Sequence, residues 1–305
     1  MPITRRDFTK AGLGAGAVMA LAGPTLANEA SPIKRVIPSS GEKIPIVGVG
    51  TNRYGVGNDT ELRVPLRAAL GKFHELGGTV IDTAPGYRSS ETVLGDLIEE
   101  LGIRDDLFMA TKVDQQGREA DNARMERSFR LLKYEHIALM QCHNLIGWED
   151  AIPAMKDWQQ EERIRYVGLT SSRENQYGLM EKIMKAHDLD FVQVNYSLAN
   201  QRKSAERILP LAADRGIAVL LNRPFGGGGV FRKLSQAEVP AWAAEFDVES
   251  WAQFLLKYAL SHPAVTAAIP GMTKEHHVVD NMRAARGAMP NATQRRKMEQ
   301  FFDAL

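Results

Sequence analysis

Residues 80–102 read VIDTAPGYRSSETVLGDLIEELG and contain one complete structural unit. A short apolar run, Val80–Asp82, is followed by a loop and then by Glu91–Leu101, whose apolar residues recur at helical spacing: Val93, Leu94, Leu97, Ile98 and Leu101. Ser90 can cap the start of this helix, and Gly102 stands where a left-handed residue often ends one. The stretch therefore predicts a β-strand, a polar loop and an amphipathic α-helix.

The same order of short apolar run and longer amphipathic segment recurs along the chain. Such alternation is typical of parallel strands covered by helices. We predict eight units, in this order: Ile44–Val49 with Glu61–Leu76, Val80–Asp82 with Glu91–Leu101, Leu107–Thr111 with Asp121–Lys133, Ile137–Cys142 with Trp148–Glu162, Arg165–Leu169 with Asn175–His187, Phe191–Asn195 with Ser204–Arg215, Ile217–Leu221 with Val248–Ser261, and Val265–Ile269 with Lys274–Arg286. The predicted fold class is α/β, a (β/α)8 TIM barrel over residues 31–305.

Two segments of this region lie outside the repeat. Lys34–Pro38 and Lys43–Pro45 flank a turn sequence, SSGE, which predicts an N-terminal β-hairpin that plugs the bottom of the barrel. Asn222–Asp247 is a long irregular connection that contains Gly226–Gly229. Because long loops in compact domains usually bind ligands or act as lids, we expect a functional role for this one.

The first 30 residues differ in kind from the rest. Arg5 and Arg6 precede Phe8 and an apolar run from Ala11 to Ala22, which is too short and glycine-rich for a stable membrane span but suits an export signal. The arginine pair resembles the twin-arginine (Tat) export motif of bacteria; an ordinary secretory signal or an uncleaved anchor is the alternative. We expect residues 1–30 to be a signal peptide that engages the twin-arginine export machinery and directs the protein to the periplasm.

Composition narrows the possible functions. The chain has 38 Lys and Arg against 37 Asp and Glu, a net charge of +1, so no overall field attracts nucleic acid or an anionic membrane. Its 44% hydrophobic and 25% charged residues are the proportions of a soluble globular protein. Cys142 is the only cysteine, which excludes an intrachain disulfide and thiol-rich metal sites. We expect no nucleic-acid partner and no stable membrane span in the mature chain.

Four chemically different side chains fall at the ends of consecutive predicted strands. Asp82 ends the second strand, and Tyr87 lies in the loop after it. Lys112 closes the third strand and His143 the fourth. Each alone has an ordinary explanation: a turn cap, a loop aromatic, a surface charge and a core histidine. Together they have no evident structural need, and barrel strands end at the face where such folds keep their active sites, so we predict that all four are catalytic.

This set of side chains suits the reduction of a carbonyl group. A phenol is a reluctant acid near neutral pH, so a cation that stabilises the phenolate would lower the pKa of Tyr87. Lys112 can supply this charge, and Asp82 can hold the ammonium group in place. His143 would hydrogen-bond the same substrate oxygen. The predicted chemistry is hydride transfer between a nicotinamide cofactor and a carbonyl carbon, with Tyr87 as general acid.

Eight short motifs follow one another along the mature chain: GVGT (48–51), IDTAPGY (81–87), SSE (89–91), TK (111–112), QCH (141–143), VGLTS (167–171), QVNY (193–196) and IPG (269–271). In order and spacing they resemble the aldo-keto reductases. The resemblance implies a (β/α)8 barrel and NAD(P)H-dependent reduction of aldehydes or ketones. It also implies a catalytic tetrad of Asp82, Tyr87, Lys112 and His143.

The cofactor site is predicted partly from physical chemistry and partly from the resemblance. A glycine-rich segment after the seventh strand and a helix N-terminus after the eighth are where these barrels bind phosphate. By resemblance, Thr170 and Ser171 would bind the nicotinamide carboxamide, and Gln193 would support it. No strand–GxGxxG–helix fingerprint indicates a Rossmann domain. The full set of expected cofactor-binding residues is Gly50, Thr51, Asn52, Asp82, Thr170, Ser171, Gln193, Asn222, Arg223, Pro224, Gly226, Gly271, Met272, Thr273, Lys274, His277 and Asn281.

The sequence departs from the family at three cofactor positions. Asn222 stands where many members place an aromatic ring against the nicotinamide. The arginine that often binds the 2′-phosphate is replaced at or near His277, and the lysine sometimes found after the Ile-Pro pair is Gly271. Because Lys274 or His276 can compensate, we expect NADPH as the cofactor, with NADH possible.

These observations predict an exported enzyme that reduces small aldehydes or ketones. The alternative is a catalytically weak barrel that serves as a nucleotide-sensing binding or regulatory subunit, which the departure at Asn222 leaves open. A metal-dependent barrel hydrolase is disfavoured because the strand ends offer only Asp82 and His143 as ligands, and no metal site is predicted. The sequence does not name the carbonyl substrate, since specificity in such barrels lies in the loops.

Overall fold

An antiparallel hairpin opens the described part of the chain, which in this computed structural model comprises residues 31–199, 202 and 204–305. The predicted signal peptide lies outside these residues. Strands β1 (Lys34–Val36) and β2 (Lys43–Pro45) pair antiparallel. Ile37 and Ile44 of the hairpin pack against the first residues of the barrel strands, including Val80 and Phe108. The prediction that a hairpin plugs the bottom of the barrel is confirmed.

Eight parallel strands follow one another around the sheet in chain order: β3 (Val49–Gly50), β4 (Val80–Asp82), β5 (Phe108–Val113), β6 (Ile137–His143), β7 (Ile164–Ser171), β8 (Phe191–Asn195), β9 (Ala218–Asn222) and β10 (Ala267–Ala268). The sheet closes because Gly48 N donates to Ala268 O at 2.9 Å and Gly50 N donates to Pro270 O at 3.0 Å. The predicted (β/α)8 barrel is therefore confirmed.

Helices cover the outside of the sheet. Ten α-helices lie within the described residues: α1 (Thr60–Glu75), α2 (Ser90–Leu101), α3 (Arg118–Leu132), α4 (Trp148–Gln160), α5 (Tyr177–Ala186), α6 (Ser204–Asp214), α7 (Val230–Leu234), α8 (Trp251–Leu260), α9 (Glu275–Arg283) and α10 (Ala292–Asp303). Among these residues, no helix combines the length and the apolar character that crossing a membrane requires. The helices outside and the side chains inside the barrel bury both faces of the sheet, and all six residues of β5 are accordingly buried.

The structure corrects three predicted elements. Ile44–Val49 is not one strand, because Ile46 N still bonds to Ile33 O while Ile46 O accepts from Ala268 N, so the chain changes partner there. The connection Asn222–Asp247 is not irregular throughout, since it contains α7 and the 3-10 helix Ala241–Phe246. Helix α10 was not predicted. The remaining units occur where expected, with bounds that differ by a few residues.

Candidate active site

Polar side chains fill the C-terminal end of the barrel interior. Successive strand residues point to opposite faces of the sheet. The side chains that point into the barrel near its bottom are apolar: Val80, Phe108, Ala110, Leu139, Phe191, Ala218 and Leu220. Continuing the same alternation to the strand ends brings these inward positions together: Asp82, Lys112, Gln141, His143, Thr170, Gln193 and Asn222. The strand period alone thus places these candidate residues at one end of the barrel interior.

The structure brings the four predicted catalytic side chains together. Lys112 Nζ lies 2.6 Å from Asp82 Oδ2, and both side chains are almost completely buried. The same ammonium nitrogen lies 5.4 Å from the centre of the Tyr87 ring. The rings of Tyr87 and His143 are perpendicular, with centroids 6.3 Å apart. A carboxylate, an ammonium, a phenol and an imidazole therefore face one another within one cluster.

A hydrogen-bond network around Asp82 joins the predicted catalytic and cofactor residues. Asp82 Oδ1 accepts from Gln141 Nε2 at 3.1 Å and from Gln193 Nε2 at 2.8 Å. Gln193 Oε1 in turn accepts from Thr170 Oγ1 at 2.9 Å and from Asn222 Nδ2 at 3.4 Å. One buried amide therefore connects the carboxylate with two of the positions that the resemblance assigns to the nicotinamide.

Lys112 is held as a buried cation. Its ammonium group donates to Asp82 Oδ2 and to Thr83 O, each at 2.6 Å. Burial lowers the pKa of Lys112, but the charge of Asp82, assisted by Tyr87 and Glu91, raises it by more, so the net pKa lies above its ordinary value. The lysine is therefore protonated at any physiological pH.

The pKa of Tyr87 differs from the prediction. The Lys112 ammonium lowers this pKa, as expected, but burial of the phenol and the negative charge of Asp82 raise it, and the net pKa is above its ordinary value. The expectation of a net decrease is thus wrong for the protein alone, because the carboxylate that holds Lys112 also opposes the phenolate. Tyr87 keeps its proton at neutral pH, which is the form a proton donor needs.

The loop that carries Tyr87 is fixed from both sides. Tyr87 N donates to Ala84 O at 3.0 Å, and Ser90 N donates to Tyr87 O at 3.1 Å. On the neighbouring loop, Thr51 Oγ1 donates to Asp82 O at 2.8 Å and Thr51 O accepts from Ser90 Oγ at 3.0 Å. The phenol is therefore presented by a turn whose ends are tied to β3 and β4.

The predicted cofactor residues beside β3 and β10 lie next to each other. Asn52 is exposed, and a side-chain Cβ at Gly271 would lie 4.0 Å from its Oδ1 atom. Tyr54 OH donates to Met272 O at 2.7 Å and so ties the two loops together. This pair of loops forms one edge of the barrel mouth, with Gly50 and Thr51 on its inner side.

The glycine-rich loop and the start of α9 can accept an anion. Gly227 and Gly228 have φ of +93° and +88°, and a Cβ at Gly228 would meet no atom within 4 Å. Lys274 immediately precedes α9, and its side chain makes no capping hydrogen bond, so backbone N–H groups and an exposed cation lie together there. A phosphate-bearing cofactor fits these features of the described residues.

The other expected cofactor residues differ in exposure and in the hydrogen bonds that they form. Ser171 Oγ donates to Gln176 Oε1 and accepts from Arg173 N, so its hydroxyl is engaged within its own loop. His277 is exposed on α9, where partial burial and the neighbouring His276 lower its pKa. The rest lie at the mouth or on α9 and differ in exposure, with Pro224 and Asn281 buried, Gly226 and Thr273 half-buried, and Arg223 exposed.

Comparison with known proteins decides the family. A profile described as the aldo/keto reductase family matches residues 46–291, most of the chain. The chain belongs to the aldo/keto reductase family. The match begins just after the hairpin and includes β3 to β10, so it covers every strand that contributes to the cluster around Asp82.

Curated members of the aldo/keto reductase family are similar to this chain over much of its length. The aldo-keto reductase YhdN of Bacillus subtilis is 31% identical over 61% of this chain and 60% of its own. Glyoxal reductase of the same organism is 28% identical over 79% of this chain and 83% of its own. Methylglyoxal reductase YeaE of Escherichia coli is 29% identical over 81% and 88%, respectively.

Solved structures of the family resemble the barrel. An aldo/keto reductase from Klebsiella pneumoniae in complex with NADP and acetate has a TM-score of 0.74 and 25% identity, and the match covers 86% of this chain and 93% of that one. A second structure from that organism, in complex with NADPH, has the same TM-score and identity, over 88% and 95%.

Two polar residues of this aldo/keto reductase site were missed from the sequence. The first is Gln141 of the QCH motif, whose amide donates to Asp82 Oδ1. The second is Asp114, whose Oδ2 atom lies 3.8 Å from His143 Nδ1. The signal for both was the strand period, because Gln141 precedes His143 by two residues and Asp114 follows Lys112 by two.

Proposed function

We propose that this protein is an exported, NADPH-dependent aldo-keto reductase that reduces aldehydes or ketones to alcohols. The observation that carries the proposal is the cluster in which Lys112 Nζ contacts Asp82 Oδ2 at 2.6 Å beneath the ring of Tyr87. Supporting it, the family includes relatives named for the reduction of glyoxal and methylglyoxal, and structures titled as complexes with NADP or NADPH.

The residues of the cluster divide the work of carbonyl reduction. The reduced nicotinamide, when bound, supplies the hydride. Tyr87 donates its hydroxyl proton to the carbonyl oxygen, and the Lys112 ammonium then stabilises the phenolate that remains. Asp82 keeps Lys112 in position and charged, and His143 donates a hydrogen bond that orients the substrate oxygen. Water restores the proton to Tyr87 afterwards.

Three groups of residues would hold the cofactor. Thr170, Gln193 and Asn222 would hold the nicotinamide, next to the carboxylate of Asp82. The loop from Gly226 to Gly229 and the uncapped start of α9 would hold the phosphates. Lys274 is the exposed cation closest in sequence to that helix start, and it would favour NADPH over NADH.

The activity is tested by following the loss of NADPH absorbance with glyoxal, methylglyoxal and simple aldehydes as substrates. Tyr87→Phe removes the proton donor, and we expect kcat to fall by roughly 10²- to 10⁴-fold while NADPH affinity is retained. Tyr134→Phe is the matched control, because that hydroxyl bonds to Arg104 O on the outer surface. Tight NADPH binding without turnover of any carbonyl compound would instead favour the regulatory-subunit alternative.

Export is a separate part of the proposal and rests on the arginine pair of residues 5–6 and the apolar run after it. The twin-arginine route carries folded proteins, so the cofactor can be loaded before export. Replacement of both arginines by lysine should retain the protein in the cytoplasm of a bacterial host. Unchanged periplasmic recovery of this variant, measured by cell fractionation, would contradict the twin-arginine assignment and leave the reductase assignment intact.

A further inference from the structure

Asp114 and His143 stand side by side at the mouth of the barrel. Lys112 on β5 is paired in register with Gln141 on β6, and Val113 with Cys142. Asp114 and His143 are the next residues of the two strands, and Asp114 Oδ2 lies 3.8 Å from His143 Nδ1. This separation exceeds a hydrogen bond but lies within the range of a charge contact.

Among the residues that the structure describes, the two atoms that face each other have no hydrogen-bond partner. His143 Nδ1 is buried and forms no hydrogen bond with any described residue. Asp114 uses its other oxygen, Oδ1, to accept from Gln115 Nε2 at 2.9 Å and to face Arg124 Nε at 3.9 Å. His143 is the largest influence on the pKa of the Asp114 carboxyl and, with Gln115 and Arg124, holds it below the ordinary value although burial opposes this. Asp114 is therefore a carboxylate at neutral pH.

A carboxylate beside Nδ1 restricts the protonation of the imidazole. A neutral ring has one N–H, and a carboxylate favours the form that directs this N–H toward it. Nε2 then carries a lone pair and cannot donate to a substrate oxygen. For Nε2 to donate while the Nδ1–H group still faces the carboxylate, both ring nitrogens must be protonated.

We propose that Asp114 is a positioning residue for His143, which keeps a proton on Nδ1 so that the ring donates from Nε2 as the imidazolium. This inference rests on the proposed reductase function for its catalytic consequence, not for the contact itself. A charged donor binds an oxygen that gains negative charge more strongly than a neutral donor does. Asp114 thus acts on the reaction through His143 and touches no substrate atom.

Other charged groups surround the pair from three elements. Tyr87 faces the imidazole ring edge-on from the barrel interior, and Lys112 lies against the ring of Tyr87. Arg124 and Asp121 lie on α3, and Glu149 lies on α4. The charges of Asp121, Glu149 and Asp114 all reach this region, since together with burial they raise the pKa of Cys142, the residue before His143. Burial raises the pKa of Asp121 to about 6, so its charge changes in the same pH range as a histidine and must be controlled for.

The direct test is nitrogen NMR of the protein labelled with ¹⁵N-histidine, in which His143→Gln assigns the resonances of this residue. We expect Nδ1 of His143 to be protonated throughout about pH 6 to 8 in the wild type. In Asp114→Asn the proton should move to Nε2 in the upper part of that range, and Asp114→Glu should restore the wild-type pattern. If the asparagine variant does not fold, Asp114→Ser serves the same purpose. An Nδ1 that is unprotonated in the wild type, or identical in all variants, overturns the proposal.

The pH profile of kcat/KM tests the catalytic consequence. Activity should fall at high pH as the proton on Nε2 is lost, and in Asp114→Asn this fall should begin at lower pH. A uniform loss at every pH would mean a structural role only and would contradict the proposal. Asp106→Asn is the matched control, because Asp106 Oδ2 lies 2.8 Å from His74 Nε2 in an exposed pair that precedes β5, at the opposite end of that strand from Asp114. Asp121→Asn should also keep the wild-type limb.

The NMR and kinetic readouts separate the possible failures. If no carbonyl compound is reduced, the proposed function fails, yet the protonation of His143 is still measured and still decides whether Asp114 controls it. If reduction occurs and the nitrogen spectra do not respond to Asp114, the inference fails and the reductase assignment stands.

Discussion

The ion pair between Asp82 and Lys112 gives a quantitative prediction about stability. At 2.6 Å and an effective dielectric constant near 20, two unit charges attract by roughly 6 kcal/mol, and both groups are buried. Because desolvation offsets much of this attraction, the relevant quantity is the cost of removing one partner, about 3–5 kcal/mol. For a domain of this size that corresponds to a Tm lower by roughly 6–12 °C.

The two single substitutions should differ. Asp82→Asn leaves the Lys112 ammonium buried without a counter-charge and places an amide among the donors of Gln141 and Gln193. Lys112→Met leaves a carboxylate that still accepts two amide hydrogen bonds on Oδ1. We therefore expect Asp82→Asn to destabilise more than Lys112→Met. The double variant should cost about 1–3 kcal/mol less than the sum of the two.

Chemical denaturation of the four proteins measures this cycle. The control pair is Lys72 and Glu75, which lie at the same 2.6 Å separation on the surface of α1. Its variants should change the unfolding midpoint little, because exposed ion pairs contribute little to stability. Strict additivity of Asp82→Asn and Lys112→Met, or an equal loss for the surface pair, would refute the argument that this buried contact holds the site together.

Two further outcomes follow from the structure. Asn222→Tyr should place a ring where the resemblance expects one and tighten NADPH binding by about 2- to 10-fold in a fluorescence titration. Unchanged NADPH binding would contradict this expectation. Asp121→Asn should stabilise the protein at neutral pH by about 2–3 kcal/mol. Burial raises the pKa of Asp121 from 3.8 to about 6, so the stability of the wild type falls as pH rises through that interval. Thermal unfolding should show this gain shrink as pH falls through about 6 to 4 and disappear near about pH 3, where the carboxyl is protonated in both the folded and the unfolded state.

The fold and the core of the site were readable from the sequence because they depend on period and order. Strand alternation placed Asp82, Lys112 and His143 on the inner face at one end of the barrel, and short motifs supplied the family. Asp114 and Gln141 obey the same period and could have been included. Helix α10 also had a signal, since Asn291 and Gln294 form a capping box in the structure.

Other features depend on distances that no sequence period specifies. The pKa of Tyr87 rises because burial and Asp82 together outweigh Lys112, a balance that follows from packing. The change of partner at Ile46 depends on how the hairpin meets the last strand of the barrel. Ser171 bonds within its own loop because Gln176 lies within reach after a turn.

The central claim is that the cluster around Tyr87 transfers hydride from NADPH to a carbonyl carbon. The most direct measurement uses NADPH deuterated at the transferable position, methylglyoxal as substrate, and mass spectrometry of the alcohol formed by the wild type and by Tyr87→Phe. The account predicts one deuterium on the new carbinol carbon with the wild type and almost no product with the variant. An alcohol without deuterium, or equal product from Tyr87→Phe, would contradict it.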